Sequence, residues 1–356
     1  WRNPRCIYEW VKCLRMAKLR DLVKLTPLID TLKLVKIDDA EYFSSKYGSY
    51  ISNSRLGLLN PFQGGSTDAF FAGFKDEGFV SSLVIGSAVH CLTLQDESFE
   101  LAPALGKPTA KLGAMADELY PVWLQHPIRT SDIEEASNKV NYYKNKLTPD
   151  IIKRVNEQCI PYWKARKNAQ LNSTKELIYL DDKSRDTVYN CVEALTKNPQ
   201  IQELLNPSGL LDPPLSMNEQ AFLLDIKAEC ANGKKTVLHL KAKLDNFTID
   251  TEQDIITVND VKTISKVVSA IDDNINRYHY SRELAEYLYL LNLYVAKEYN
   301  ISKPSIKANY LVVSTIPQYY TKVRPVTNKE IQEGMYELGT LLRHVAYLIC
   351  YKGYSL

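Results

Sequence analysis

The residues best placed to do chemistry lie in 237–263, VLHLKAKLDNFTIDTEQDIITVNDVKT, where Asp245 precedes the run Asp260-Val261-Lys262 by fifteen positions. Both stretches alternate in the period of two that half-buried strands show. As an antiparallel hairpin turning between Glu252 and Gln253, they set Asp245 opposite Asp260, with Cβ atoms about 4.5–5.5 Å apart. Lys262 shares the face of Asp260, because strand side chains repeat every two residues. Opposed carboxylates repel unless something neutralises them. Mg²⁺ or Mn²⁺ would do so, with the main-chain carbonyl of Val261 as a further oxygen ligand. Lys262 would orient an attacking water and help deprotonate it, as phosphodiester hydrolysis requires. A D-x-K triplet on a hairpin is a weak motif by itself. The apolar setting, with Ile255, Ile256 and Val258 before it and an apolar helix after, sets this one apart.

The elements that must hold these groups read outward from the hairpin. A strand over 218–229 precedes it, joined through the turn-forming Asn232-Gly233. Helices are expected over 264–276 and 281–299, a strand over 306–316, and a last helix opened by Thr327 with Glu330 in capping-box spacing. Upstream, residues 5–25 read as a helix stopped by Pro27. Ser52 or Asn53 caps a short helix before the turns at Asn60-Pro61 and Gly64-Gly65, and 81–99 read as an apolar helix carrying His90. Strands, then helices, then a strand and a helix indicate an α/β fold with a mixed central sheet flanked by helices. The polar, lysine-rich, helical block of about 112–205 reads as a large insertion in a main domain of 44–356, behind a basic helical arm of 1–43.

Composition sets bounds. The chain is 45% hydrophobic and 24% charged, as ordinary globular proteins are. No stretch approaches ~18 uninterrupted apolar residues, which argues against a membrane partner. There is no secretory pattern, and the opening Trp1-Arg2-Asn3-Pro4 lacks a methionine, as a missing or processed start would. Seven scattered cysteines without a C-x-x-C argue against a zinc ribbon and suggest buried thiols in a cytoplasmic setting. The net charge of +2 is uneven: residues 1–36 hold nine Lys or Arg against three Asp or Glu. A basic arm on a slightly acidic body suits nucleic acid or an acidic partner.

The order S-N-S-R-L, G-S-A-V-H, a glutamate opening a strand, L-D, D-V-K-T and Y-x-x-E-L-A-x-Y resembles the PD-(D/E)XK nucleases of the RecE and lambda-exonuclease type, over roughly residues 44–316. The resemblance implies a restriction-endonuclease-like core and a Mg²⁺-dependent (Mn²⁺ also possible) 5′→3′ exonuclease on double-stranded DNA. It implies a ring-shaped homo-oligomer, a single-strand annealing protein as partner and a phage recombination setting, hence a bacterial cytoplasm. Asp245 matches the aspartate of the first motif, with Leu244 where proline often stands. Asp260 and Lys262 match the (D/E)XK pair, His90 the histidine near the metal, and Glu219 the acidic residue at the first core strand. The family's helix carries Q-x-x-x-Y. Here Glu283 replaces the glutamine while Tyr287 is retained, and a carboxylate there would repel phosphate unless Arg282 or Arg277 pairs with it.

Lys241, Lys243 and Arg282 are the expected DNA contacts, with Lys107 and Lys111 as further candidates. Tyrosines such as Tyr278 and Tyr280 could stack bases, while His126, His239, His279 and His344 read as ordinary structural histidines. The alternative is a catalytically inactive DNA-binding or assembly protein on the same fold. The Glu283 substitution argues for it and the intact Asp245, Asp260 and Lys262 against it.

Overall fold

The computed structural model describes residues 16–59, 65–73, 84–108, 110–142, 149–207 and 214–356. The chain divides into two compact units, Trp1–Leu94 with Asn190–Leu356, and Gln95–Tyr189.

The larger unit is a mixed α/β structure. Its strands are β1 (Val23–Val35), β4 (Leu215–Cys230), β5 (Lys235–Asp250), β6 (Ile255–Ile264), β7 (Ser305–Ser314) and β8 (Thr321–Pro325), while β2 (Phe99–Pro103) and β3 (Glu176–Leu180) belong to the smaller unit. The six form one sheet in the order β1-β4-β5-β6-β7-β8. Only β6 and β7 run parallel. Parallel strands need a crossover, and the helices Ile271–Tyr278 and Tyr280–Glu298 supply it. The β4–β5 hairpin turns at Asn232-Gly233, where Gly233 takes φ +81°, a conformation glycine adopts without strain.

Two long helices lie close together because of one residue. A Cβ on Gly334, in the helix Asn328–Lys352, would fall 2.1 Å from the carbonyl oxygen of Ser281, so only glycine permits that approach. The helix opens with the capping box expected from its sequence: Glu330 N–H donates to Thr327 Oγ1, and Thr327 N–H donates to Glu330 Oε2.

The helix expected over 5–25 is seen at Met16–Leu22, residues 1–15 lying outside those described, and gives way at Val23 to β1. Pro27 therefore ends no helix. It sits in an edge strand, where a missing N–H is tolerated. The register shifts between Leu28 and Lys33, and Thr31 Oγ1 fills the gap by accepting from Asp225 N–H at 2.9 Å. Residues 23–35 are thus part of the sheet and not of a helical arm. Ser52 caps the short helix Asn53–Gly57 as expected, while Asn60, Pro61 and Gly64 lie outside the described residues.

The smaller unit packs helices around Trp163, Met115, Leu119 and Ile151, beside the parallel pair β2–β3. Its helical path widens into a π-turn at Val155–Cys159. Pro161, which has no N–H to offer the preceding turn, explains the widening. The helix Pro199–Leu205, counted with the 112–205 block from sequence, lies in the larger unit. Among the described residues, Cys91, Cys159, Cys191, Cys230 and Cys350 are buried and form no disulfide, and no helix is long and apolar enough to cross a membrane.

Candidate active site

The hairpin has the register its sequence dictates. Pairs run from Asn246↔Asn259 to Asp250↔Ile255, which sets Asp245 against Asp260 one step further along. The Val261 N–H donates to Asp245 Oδ2 at 2.7 Å.

One set of donor atoms stands close together. His90, Glu219 and Asp245 bring donor atoms within 4.8 Å of one another; Asp260 is not among them. One distortion and one close contact build this group. Glu219 has φ +53° in the middle of β4, although the ladder keeps its register on either side at Asn218↔Asn246 and Gln220↔Leu244. Such a conformation costs a non-glycine residue about 1–3 kcal/mol, and here it accompanies delivery of a carboxylate to the group. His90 arrives on the helix Val84–Leu94, one turn beyond Gly86. A Cβ on Gly86 would lie 3.0 Å from Thr263 Oγ1, so this helix rests tightly on β6 at the residue after Lys262.

His90 Nδ1 lies 3.4 Å from Asp245 Oδ2. Burial disfavours the imidazolium, but the Asp245 charge and hydrogen bond outweigh it and raise the His90 pKa to about 9. Burial likewise opposes the Asp245 carboxylate, yet His90 holds its pKa below the usual value, while burial and the Asp245 charge push Glu219 upward. One imidazole nitrogen and two carboxylates, partly buried and gathered to one point, fit a divalent cation by donor type and charge.

Asp260 is paired with Lys262. Lys262 Nζ lies 2.9 Å from Asp260 Oδ2 and 2.9 Å from Glu283 Oε2, with the Tyr280 ring 4.6 Å away. Burial works against the ammonium, but Asp260 and Glu283 hold its pKa well above the ordinary value. Burial, with Glu283 and Asp245 adding to it, raises Asp260. Lys262 is therefore held as a cation and hydrogen-bond donor between two carboxylates. Glu283 also accepts from Tyr287 Oη at 3.2 Å, across one helical turn.

On the alternate strand positions runs a relay of four asparagines. Asn309 donates to Asn259 (3.0 Å), Asn259 to Asn246 (2.8 Å), Asn246 to Asn218 (2.8 Å), and Asn218 to the carbonyl of Leu94 (3.2 Å). Asn218, Asn246 and Asn259 are each next in sequence to Glu219, Asp245 or Asp260, and Leu94 ends the His90 helix. The relay fixes the strands that carry the site. Asn246 and Asn259 are fully buried, and Asn259→Leu removes the partner of one donor, Asn309 Nδ2, and of two acceptors, Asn246 Oδ1 and the Leu204 carbonyl. We expect a loss of about 2–4 kcal/mol by urea unfolding.

The expected DNA contacts are otherwise engaged. Lys241 is buried and donates to the carbonyl of Tyr42 at 2.6 Å, over the Tyr42 ring. Lys243 lies between Asp39 (2.6 Å) and Glu219 (2.8 Å). Arg282 is buried against Asn53 and Glu337 and does not pair with Glu283, whose cation is Lys262. In the smaller unit, Lys107 pairs with Asp117 and Lys111 bonds the carbonyl of Asn141. His239, expected to be an ordinary structural histidine, pairs with Asp225 at 2.7 Å.

Glu337, not singled out from sequence, holds both Arg282 (2.8 Å) and His279 (2.9 Å). Burial opposes its charge, but these two partners keep its pKa below the usual 4.5. A depressed carboxylate pKa gives stability that is full above about pH 4.5 and fades as pH falls through the folded value. Glu337→Gln should cost about 1.5–3 kcal/mol near pH 7, and wild type and variant should converge below that window when unfolding is followed against pH.

No protein-family model and no curated protein matches the sequence. Among solved structures, the chain is similar to a crystal structure of a "putative exonuclease" from Eubacterium rectale, at 9% identity and TM-score 0.46, over 90% of this chain and 89% of that one.

Proposed function

We propose that this protein is a metal-dependent nuclease that hydrolyses DNA phosphodiester bonds. One observation carries the reading: a three-donor group, His90, Glu219 and Asp245, stands beside a lysine fixed by two carboxylates. A divalent ion held by those three donors would supply a Lewis acid for the phosphoryl oxygens and an acidified water. The chain's own groups then have distinct tasks. Asp245 is anchored by the Val261 N–H, which fixes where its second oxygen points. Lys262, held by Asp260 and Glu283, donates to the phosphate and offsets charge developing on it, as preorganised donors do. Asp260 orients that lysine and adds negative charge beside the metal group. Double-stranded DNA, 5′→3′ polarity, a ring assembly and an annealing partner are the finer form of this proposal, suggested by the sequence resemblance.

The alternative, an inactive DNA-binding or assembly protein on the same fold, drew part of its support from Glu283. Bonded to Lys262 and Tyr287, that carboxylate is equally compatible with a working site. The test is incubation of the purified protein with linear and circular duplex DNA, with Mg²⁺, Mn²⁺ or EDTA. Metal-dependent loss of the linear form supports an exonuclease, and nicking of circles an endonuclease. Intact DNA under every condition ends the catalytic reading.

A further inference from the structure

Beyond the metal group, an ordered stack leads from Lys262 toward solvent. The Tyr280 ring lies 4.6 Å from Lys262 Nζ, Tyr278 stacks on Tyr280 at 5.7 Å with 27° between planes, and the Arg277 guanidinium lies 5.3 Å from the Tyr278 ring. Tyr278 is 44% exposed. We propose that Tyr278 and Arg277 form a subsite for an unpaired nucleobase next to the scissile phosphate. This rests on the nuclease reading for its position, and adds the state of the substrate: a strand end whose terminal base is free of its partner.

The backbone builds this stack at some expense. Residues two apart on one helix point to opposite sides, so Tyr278 and Tyr280 could not stack within a continuous helix. They belong to two helices, Ile271–Tyr278 and Tyr280–Glu298, joined by His279 at φ +56°. That left-handed histidine costs free energy in a residue with a Cβ, and Glu337 holds it in place. A costly joint thus presents a half-exposed aromatic ring beside the group that would contact phosphate.

Nucleobases of any sequence stack on tyrosine and on guanidinium planes. A base inside a duplex has both faces covered by its neighbours, whereas a frayed or single-stranded terminal base offers one. Arg277 adds a cation for the neighbouring phosphate, and Tyr280 links the platform to Lys262, so base and scissile group are held by one rigid stack.

The experiment compares two oligonucleotides, one with a normal terminal nucleotide and one with a tetrahydrofuran abasic residue there, cleaved by wild type, Tyr278→Ala and Tyr278→Trp. Wild type and Tyr278→Trp should favour the normal end by about tenfold in kcat/KM, the scale of a single base–aromatic stack. Tyr278→Ala should lose that preference, cleaving the normal and abasic ends with similar kcat/KM. Equal slowing on both substrates, or a preference that survives in Tyr278→Ala, overturns the subsite. If no enzyme form cleaves any substrate, the nuclease reading fails, and the subsite is decided by binding alone. With Ca²⁺ present, a terminal 2-aminopurine should be quenched by wild type and not by Tyr278→Ala. Equal fluorescence with both overturns it.

Discussion

Lys262→Ala should lose about 10²–10³-fold in kcat on linear duplex DNA while still binding metal, the magnitude typical of removing one preorganised donor from a transition state. The expectation follows from how the ammonium is held. Asp260 and Glu283 each lie 2.9 Å from Nζ, and the side chain is largely buried. A lysine so fixed needs no reorganisation when charge develops on a phosphate, which is where such donors gain over water. Removing it leaves Asp260 and Glu283 facing each other without a cation, so the metal-free variant should be less stable than wild type. A divalent cation nearby offsets part of that excess charge, so Mn²⁺ should stabilise Lys262→Ala more than wild type in a melting experiment. Lys262→Arg keeps the charge but not the compact geometry and should recover only part of the rate. Glu283→Gln keeps an acceptor for both Tyr287 and Lys262 and should change kcat by less than tenfold. Near-normal cleavage by Lys262→Ala would show that this lysine is a structural counter-ion only.

What the sequence allowed one to see, and what it did not, divides by physical cause. The opposition of Asp245 and Asp260 follows from a period of two and the position of a turn, and the hairpin has that register. The capping box at Thr327 and Glu330 is equally local, and it forms. Contributions that depend on a single backbone torsion leave no periodic trace. Glu219 reaches His90 and Asp245 through its own left-handed backbone within a strand, and Tyr278 meets Tyr280 only because His279 is left-handed. Pairing partners are also silent in the sequence. Lys241 and Lys243 alternate as phosphate contacts would, but alternation does not reveal that residues near Asp39 and Tyr42 cover that face. Glu283 read as a liability because its partner, Lys262, is 21 residues away. The strand β1 was masked by leucines at spacings that fit either a helix or a strand. Its β-branched residues Val23, Thr26, Ile29, Thr31 and Val35 carried the missing signal.

Asp245→Asn should abolish metal binding without unfolding the protein, and its partner variants locate the metal. Asn at 245 can still accept from the Val261 N–H, so the join of β5 and β6 survives. It loses the charge that a hard divalent cation requires, and affinity for Mn²⁺ should fall at least a hundredfold by calorimetry, beyond the 10–100-fold seen for groups that merely support a ligand. Wild type at a hundredfold excess of metal over Kd gains about 2.7 kcal/mol, visible as a rise in Tm that Asp245→Asn should lack. Glu219→Gln and Asp260→Asn then discriminate between two arrangements. If the ion sits among His90, Glu219 and Asp245, Glu219→Gln should lose most of the metal-induced rise. Asp260→Asn should retain it and lose activity through a misplaced Lys262. The opposite pattern, with Asp260 essential for binding and Glu219 dispensable, would return the metal to the Asp245–Asp260 pair read from the hairpin alone. It would leave the left-handed Glu219 as a counter-charge for Lys243, 2.8 Å away.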